Sequence, residues 1–206
     1  MINILNIGFS NALSIGNTLE DLEYPYKFIS KKSELQDGIL ILPGVGSMGN
    51  FKKDMNKDNW EELIIDYHKS GNRLIGICLG FQALTKFSEE SGGTKCMNIL
   101  KKNIYTNHVD KVTMKSHTSW KNFSISKNFL EINNWNPIYN RSKKKSLNGR
   151  VFYNHSFAVE HKSKSSIQIS GHNNFSGLIV NKNVMGIQFH PEKSQNFGKE
   201  LFRFIL

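Results

Sequence analysis

Arg73-Leu74-Ile75-Gly76-Ile77-Cys78-Leu79-Gly80-Phe81-Gln82 is the stretch whose reading decides the fold. An apolar run of strand character ends at a cysteine set between two glycines. A helical pattern follows directly, from about Phe81 to Glu89, with Ala83, Leu84 and Phe87 at apolar positions. This is the layout of a nucleophile elbow, a sharp strand-to-helix turn usually written G-x-S-x-G and carrying Cys78 here. The turn is so tight that Gly76 and Gly80 are expected where a Cβ would collide. It lifts the Cys78 sulfur above the sheet edge and sets it at a helix N-terminus, where the dipole and free N–H groups favour the reactive thiolate. The alternative is a buried cysteine in an ordinary βα turn, since cysteine is among the most buried residue types. The segment His190-Pro191-Glu192, far downstream, favours the first reading.

Outward from the elbow, strands and helices alternate. Ile2–Phe9 reads as a buried strand, Ser10-Asn11 as loop and cap, and Ala12, Ile15, Leu19 and Leu22 keep helical spacing to about Glu23. Tyr26–Ile29 is a second strand. Gly38–Leu42 is a third, unbroken in its apolar character and so covered on both faces. It ends in Pro43-Gly44-Val45-Gly46-Ser47, a turn that can bring backbone N–H groups to a ligand. Trp60–Lys69 is an amphipathic helix with Trp60, Leu63, Ile64 and Tyr67 on one face, stopped by Ser70-Gly71. The pattern predicts an α/β fold with an open, mostly parallel central sheet flanked by helices. Ligands of such sheets bind outside the carboxyl ends of the strands, where Pro43–Ser47 and Cys78–Gly80 both lie.

Beyond Ile99 the texture changes. Ile104–Tyr105, Val109–Met114, Arg150–Val159, Ser166–Ser170 and Gly177–Val180 read as strands of an added antiparallel region. Asn181-Lys182-Asn183 is a hairpin turn into Val184–His190, and a helix over about Gln195–Ile205 closes the chain, with Phe197, Leu201 and Phe202 or Ile205 inward. No repeat or linker divides residues 1–206, which read as a single domain.

Length and composition exclude several classes. A chain of 206 residues is long enough for one substantial core. The first residues, Met1–Ile7, are too short and interrupted for a signal peptide, and no apolar run approaches the roughly 18 residues of a membrane span. Two cysteines, Cys78 and Cys96, make no disulfide framework, which points to a reducing, cytoplasmic setting. The formal charge of +10 is compatible with nucleic-acid binding, but the lysines are scattered. The densest run, Arg141-Ser142-Lys143-Lys144-Lys145, lacks interleaved aromatics and reads as a solvated loop or a docking patch for an acidic partner. Neither nucleic acid nor a membrane is expected as a partner.

A thiolate nucleophile needs a base that receives and returns protons, and the base needs an orienting group. His190 and Glu192 fit, because residues two apart in an extended segment point to the same side. Pro191 stiffens the backbone between them. His-x-Glu also opens a zinc-deaminase signature, but that needs a later Pro-Cys-x-x-Cys and no cysteine follows Cys96. No metal or cofactor is expected.

Taken together, Pro43–Gly46, Gly76–Gln82, His155-Ser156-Phe157 and Gly186–Ser194 resemble the class I, triad-type glutamine amidotransferases over nearly the whole chain. Spacing and length look most like the glutaminase subunits of imidazole glycerol phosphate synthases. The resemblance implies that Cys78 attacks the carboxamide of L-glutamine, that His190 shuttles protons, and that Glu192 holds the His190 ring. It implies an oxyanion hole from Leu79 and one N–H of the Gly44, Val45, Gly46 turn. Gly80, Gln82, His155, Ser156 and Phe157 match positions near the bound glutamine. Ammonia would pass to a (β/α)8-barrel cyclase partner in a heterodimer, with Asn11 and Trp120 at the partner face. The oxyanion turn is expected to reach its working geometry only when that partner holds its substrate. The chain departs from the family at Asn6-Ile7-Gly8-Phe9-Ser10-Asn11, where Asp-Tyr-Gly and a glycine before the asparagine are usual. It departs again at His117-Thr118-Ser119-Trp120-Lys121 in place of His-Met-Gly-Trp-Asn, and at Phe157 in place of tyrosine. A related subunit feeding ammonia to surface-sugar synthesis, a different cysteine hydrolase, and a catalytically idle docking subunit are the alternative readings.

Overall fold

The computed structural model describes residues 1–8, 10–100, 112–160 and 164–206, with the backbone alone at 112–116 and 173. The chain opens with β1 (Ile2–Leu5), α1 (Ala12–Asp21), β2 (Tyr26–Ile29) and β3 (Ile39–Leu42). Two helices follow, α2 (Met48–Lys57) and α3 (Trp60–Lys69), and then β4 (Arg73–Ile77) runs into the short α4 (Leu79–Ala83). The second half contains β5 (Phe87–Ser88), β6 (Thr94–Lys95), β7 (Val112–Ser126), α5 (Lys127–Ile132) and β8 (Ser146–Val159). It ends with β9 (Ser166–Ile169), β10 (His172–Asn181), β11 (Val184–Ile187) and α6 (Gln195–Ile205).

These strands form a seven-stranded sheet in the order β2-β1-β3-β4-β11-β10-β9 and a four-stranded sheet in the order β6-β5-β7-β8. The first five strands of the large sheet are parallel, and β10 and β9 extend it antiparallel. The predicted architecture, a mostly parallel sheet with helices and an antiparallel addition, is the one observed. Its central strands alternate between two apolar layers, as the period of two requires. Ile39, Ile41, Ile75, Ile77, Met185 and Ile187 pack into one layer, while Leu40, Leu42, Leu74 and Val184 pack into the other. Both faces are covered, which explains why these strands read as unbroken apolar runs.

Several elements differ from the sequence reading. The helix expected over about Phe81–Glu89 ends at Ala83. The Thr85 hydroxyl takes the Gln82 carbonyl at 2.7 Å, and Phe87–Ser88 leaves to pair with β6 and β7. Helix α2 was not anticipated, because its ten residues bury only Met48 and Met55 and include Gly49 and two asparagines. It starts where the Ser47 hydroxyl accepts the Asn50 N–H, an N-cap. Helix α5 was likewise missed and starts on the Ser126 hydroxyl. Strand β7 continues twelve residues past the expected end at Met114, forming a long ribbon with β8. The strand expected at Ile104–Tyr105, and the start of the one at Val109–Met114, lie outside the described residues.

The basic loop is partly structural. Arg141 donates to the Leu22 and Glu23 carbonyls and stacks over Tyr24, while Lys144 pairs with Glu200 of α6 at 2.7 Å. These contacts fasten the loop to the end of α1 and to the closing helix. No helix among the described residues is long and apolar enough to cross a membrane.

Candidate active site

The elbow forms as its glycines predict. Cys78 sits at φ 54° and ψ −111°, a strained conformation for a non-glycine residue, with its N–H on the Ile187 carbonyl at 2.7 Å. A Cβ on Gly80 would lie 1.9 Å from the Leu42 carbonyl oxygen, and one on Gly76 would lie 2.7 Å from the Phe81 backbone. Both contacts are with backbone, of β3 in one case and of α4 in the other, so only glycine fits. The sulfur is nearly buried and opens into a cavity of about 140 Å³. Because α4 has five residues, little aligned peptide dipole stands behind Cys78, and the charged neighbour matters more.

That neighbour is His190. It follows β11 in an extended conformation and hydrogen-bonds its backbone N–H to the Phe152 carbonyl at 2.9 Å. Pro191–Lys193 then forms one 3₁₀ turn with proline at its start. Glu192 therefore reaches His190 by curling back rather than by lying two residues along a strand, a correction to the sequence argument. The pairing itself is as predicted, with His190 Nδ1 and Glu192 Oε1 2.7 Å apart and both side chains buried. Burial alone would lower the proton affinity of His190. Hydrogen bonds with the Cys78 sulfur and the Glu192 carboxylate outweigh it and raise its pKa to about 10. At neutral pH the imidazole is thus a proton-bearing cation facing the sulfur.

The stretch of cavity wall around His155 is uncharged. Gln82 Nε2 donates to the Phe157 carbonyl at 2.7 Å and to Gln188 Oε1 at 3.2 Å. The same carbonyl faces His155 Nδ1 at 3.0 Å, so that nitrogen carries the ring proton, because a carbonyl can only accept. His155 Nε2 meets His117 Nδ1 at 3.2 Å, and the Ser119 hydroxyl meets the other His117 nitrogen at 2.5 Å. Burial, then the neighbouring His117, pushes the His155 pKa down to about 4, so its imidazole is neutral beside the cationic His190. Ser156 is exposed at the cavity mouth, and Phe157 lines it.

The turn after β3 has a different status. Val45 and Gly46 line the cavity with Leu79, as expected of an oxyanion hole. Yet the Leu79 N–H is bonded to the Gly44 carbonyl at 3.4 Å. A carbonyl, not a second donor, faces the position where an oxyanion would lie. Gly46, at φ 92° with open space around its Cβ position, leaves room for the turn to rearrange.

Of the predicted site residues, Val45, Gly46, Cys78, Leu79, Gln82, His155, Ser156, Phe157 and His190 line the one cavity. Gly44 and Gly80 pack behind it, where a Gly44 Cβ would lie 2.7 Å from the Gly80 nitrogen. Asn11 lies against Glu192, with its amide nitrogen 2.6 Å from Oε1. Trp120 stands apart from the cavity, its ring 5.6 Å from that of Phe152, over a surface groove shared with Arg150 and Phe197.

Three cavity residues escaped the sequence reading: Glu90, Asn154 and Lys193. Glu90 lies just past the expected end of the elbow helix, in a stretch to which the sequence assigned no element. Its carboxylate accepts the Met48 N–H at 3.0 Å, and the Ser91 hydroxyl accepts that of Gly49 at 3.2 Å, so this segment staples the start of α2. Burial raises the Glu90 pKa. Gln188 was also passed over, although its amide approaches the Cys78 sulfur at 4.0 Å. Among the described residues no group of three or more His, Cys, Asp or Glu is placed to hold a metal ion.

Comparison with known proteins agrees with this geometry. Residues 4–205 match the family model "Glutamine amidotransferase class-I". The imidazole glycerol phosphate synthase subunit HisH of Bacillus subtilis is 30% identical over 208 residues, covering 98% of this chain and 93% of its own. The HisH of Buchnera aphidicola subsp. Schizaphis graminum is 30% identical over 100% and 98% of the two chains. Among solved structures, a glutamine amidotransferase shares the fold with a TM-score of 0.68 at 14% identity, covering 98% of this chain and 96% of that one. The structure of PurLQS from Thermotoga maritima gives 0.64 at 19%, covering 98% and 95%. With an elbow cysteine, a paired histidine and a near full-length match, the chain belongs to the class-I glutamine amidotransferase family.

Proposed function

We infer that the chain is the glutaminase subunit of an imidazole glycerol phosphate synthase, hydrolysing L-glutamine and delivering ammonia to a (β/α)8-barrel cyclase partner in histidine biosynthesis. The observation that carries this reading is that Cys78 and His190 line one cavity, with Glu192 buried behind His190 and paired to its ring. The HisH relatives favour the histidine pathway over surface-sugar synthesis. The intact triad argues against an idle docking subunit.

The steps follow from the atoms present. The Cys78 thiolate attacks the carboxamide carbon, and the electron pair moves to oxygen. The His190 imidazolium gives its proton to the departing nitrogen, so ammonia leaves and a thioester remains. Neutral His190 then takes a proton from water as its oxygen attacks the thioester. The acid leaves and ionises to glutamate by giving its proton to solvent, while the sulfur regains its negative charge and His190 its positive one. Glu192 keeps the ring oriented and stabilises its charge in both halves. Glu90 supplies a carboxylate complementary to the ammonium group of the amino acid.

The oxyanion needs donors, each worth about 3–4 kcal/mol in such sites. The Leu79 N–H would serve once released from the Gly44 carbonyl, and an N–H of the Gly44–Gly46 turn would join it. The isolated chain is therefore slow, and binding of the loaded partner would reorganise the turn. Asn11 and Trp120 would meet that partner, and Leu13, 66% exposed at the start of α1, offers apolar surface beside Asn11. The setting is a cytoplasmic, single-domain subunit.

The test is Cys78→Ala in the two-subunit complex. Glutamine-driven product formation should vanish, while added ammonium still supports it. Loss of both would assign Cys78 a structural role instead.

A further inference from the structure

Glu192 is held by a residue outside the triad. Its side chain is wholly shielded from solvent, and burying a polar group is costly unless hydrogen-bond partners face it. Two donors do so, His190 Nδ1 at 2.7 Å and Asn11 Nδ2 at 2.6 Å, and both meet Oε1. Oε2 has no hydrogen-bond partner among the described residues. With His190 alone, nothing would fix the plane of the carboxylate or choose between its oxygens. The second donor removes that freedom.

The conformation of Asn11 gives independent support. It is the N-cap residue of α1, and asparagine is favoured there because its side chain ordinarily accepts a backbone N–H of the first turn. Here the side chain makes no capping bond. It is turned instead across 181 residues of sequence to the carboxylate. The loop that carries it is braced, with the Ser10 hydroxyl on Asn6 Oδ1 at 3.2 Å and the Ser10 N–H on the Gly8 carbonyl at 3.1 Å. Gly8 itself sits at φ 53°, in the left-handed region that favours glycine, beside the Asp54 side chain of α2.

We propose that Asn11 is a positioning residue of the glutaminase, its amide fixing the Glu192 carboxylate so that the His190 ring stays aimed at Cys78. The proposal rests on the triad reading above and extends it by one residue.

Glutamine hydrolysis by the full-length chain, alone and with saturating partner subunit, tests it in Asn11→Ala, Asn11→Asp and Glu192→Ala. Asn11→Ala should lower kcat on the order of tenfold with KM within about twofold, as for a lost hydrogen bond to a charged group. Asn11→Asp keeps the shape, can still cap α1 and loses the donor. It also sets a second carboxylate against Glu192, so its kcat should fall at least as far as that of the alanine variant with KM again within about twofold, a split that a purely structural role would not give. Wild-type kcat in Asn11→Asp would overturn the proposal, because shape alone would then suffice. So would a loss in Asn11→Ala that saturating partner fully restores, which would make Asn11 a docking contact and nothing more. If both Asn11 variants were unaffected while Glu192→Ala collapsed, Asn11 alone would be wrongly assigned. If Glu192→Ala were also fully active, the triad reading itself would fall.

Discussion

The two sides of the cavity differ in readiness. On one side His190 and Glu192 are buried, paired at 2.7 Å and held by Asn11, with the histidine charged. On the other, the Gly44–Gly46 turn spends the Leu79 N–H on its own carbonyl. Under the proposed reaction, the half that would handle protons is assembled, and the half that would stabilise charge in the transition state is not. In the reaction proposed above, an enzyme built this way keeps a primed nucleophile yet turns over little until the turn moves, which suits a subunit whose product should not be released without an acceptor. The difference also locates control. A signal from a partner has only to reorganise a glycine-rich turn and the start of α2, and need not touch the triad.

The largest expected effect breaks both halves at once. Gly80→Ala would drive a methyl to 1.9 Å from the Leu42 carbonyl, and β3 cannot retreat because it is paired on both sides. Denaturant unfolding should show a loss of about 3 kcal/mol or more, the upper end for overpacking. Glutaminase activity should fall below detection. Unchanged stability would mean that the elbow is not packed against β3 as described.

A smaller effect sharpens the contrast between the cationic and neutral histidines. The folded state holds the His155 pKa near 4, against 6.5 ordinarily. As pH falls below about 6.5 the unfolded chain takes up the proton first, so the stability contributed by neutral His155 is full above that pH. It is lost progressively as acidification approaches 4. His190 runs the other way, its contribution present at low pH and lost as pH rises towards about 10. His155→Gln should therefore flatten the fall in unfolding free energy between pH 6.5 and 4, by on the order of 2 kcal/mol at pH 5. An identical acid slope in the variant would show that His155 is protonated in the fold.

Much of this was legible in the chain because the signals are local. Glycines flanking Cys78 report a steric demand within a few residues, and unbroken isoleucine–leucine runs report strands covered on two faces. The His190–Glu192 pair was legible as well, though by the wrong geometry, since a single 3₁₀ turn brings them together. What escaped is set by distant partners. Helix α2 has a weak apolar pattern and is stapled by Glu90 and Ser91, some forty residues away. The elbow helix looked long because Phe87 keeps helical spacing, yet sheet pairing claims that residue. Asn11 was legible as a cap followed by a helix and, through the resemblance, as a partner-face residue, but not as a neighbour of Glu192. Its bond to Glu192 spans nearly the whole chain, and no local pattern encodes it.

The contrast itself can be measured in one experiment on the isolated chain, comparing alkylation of Cys78 by iodoacetamide with hydrolysis of glutamine at neutral pH. Alkylation needs the thiolate but no oxyanion hole, whereas hydrolysis needs both. Burial pushes the Cys96 thiol up to about 11, so that cysteine should stay silent. The expected result is rapid labelling at Cys78 that slows in His190→Ala, together with slow hydrolysis that accelerates when the loaded partner binds. Slow labelling at Cys78, or hydrolysis in isolation as fast as in the complex, would contradict the account.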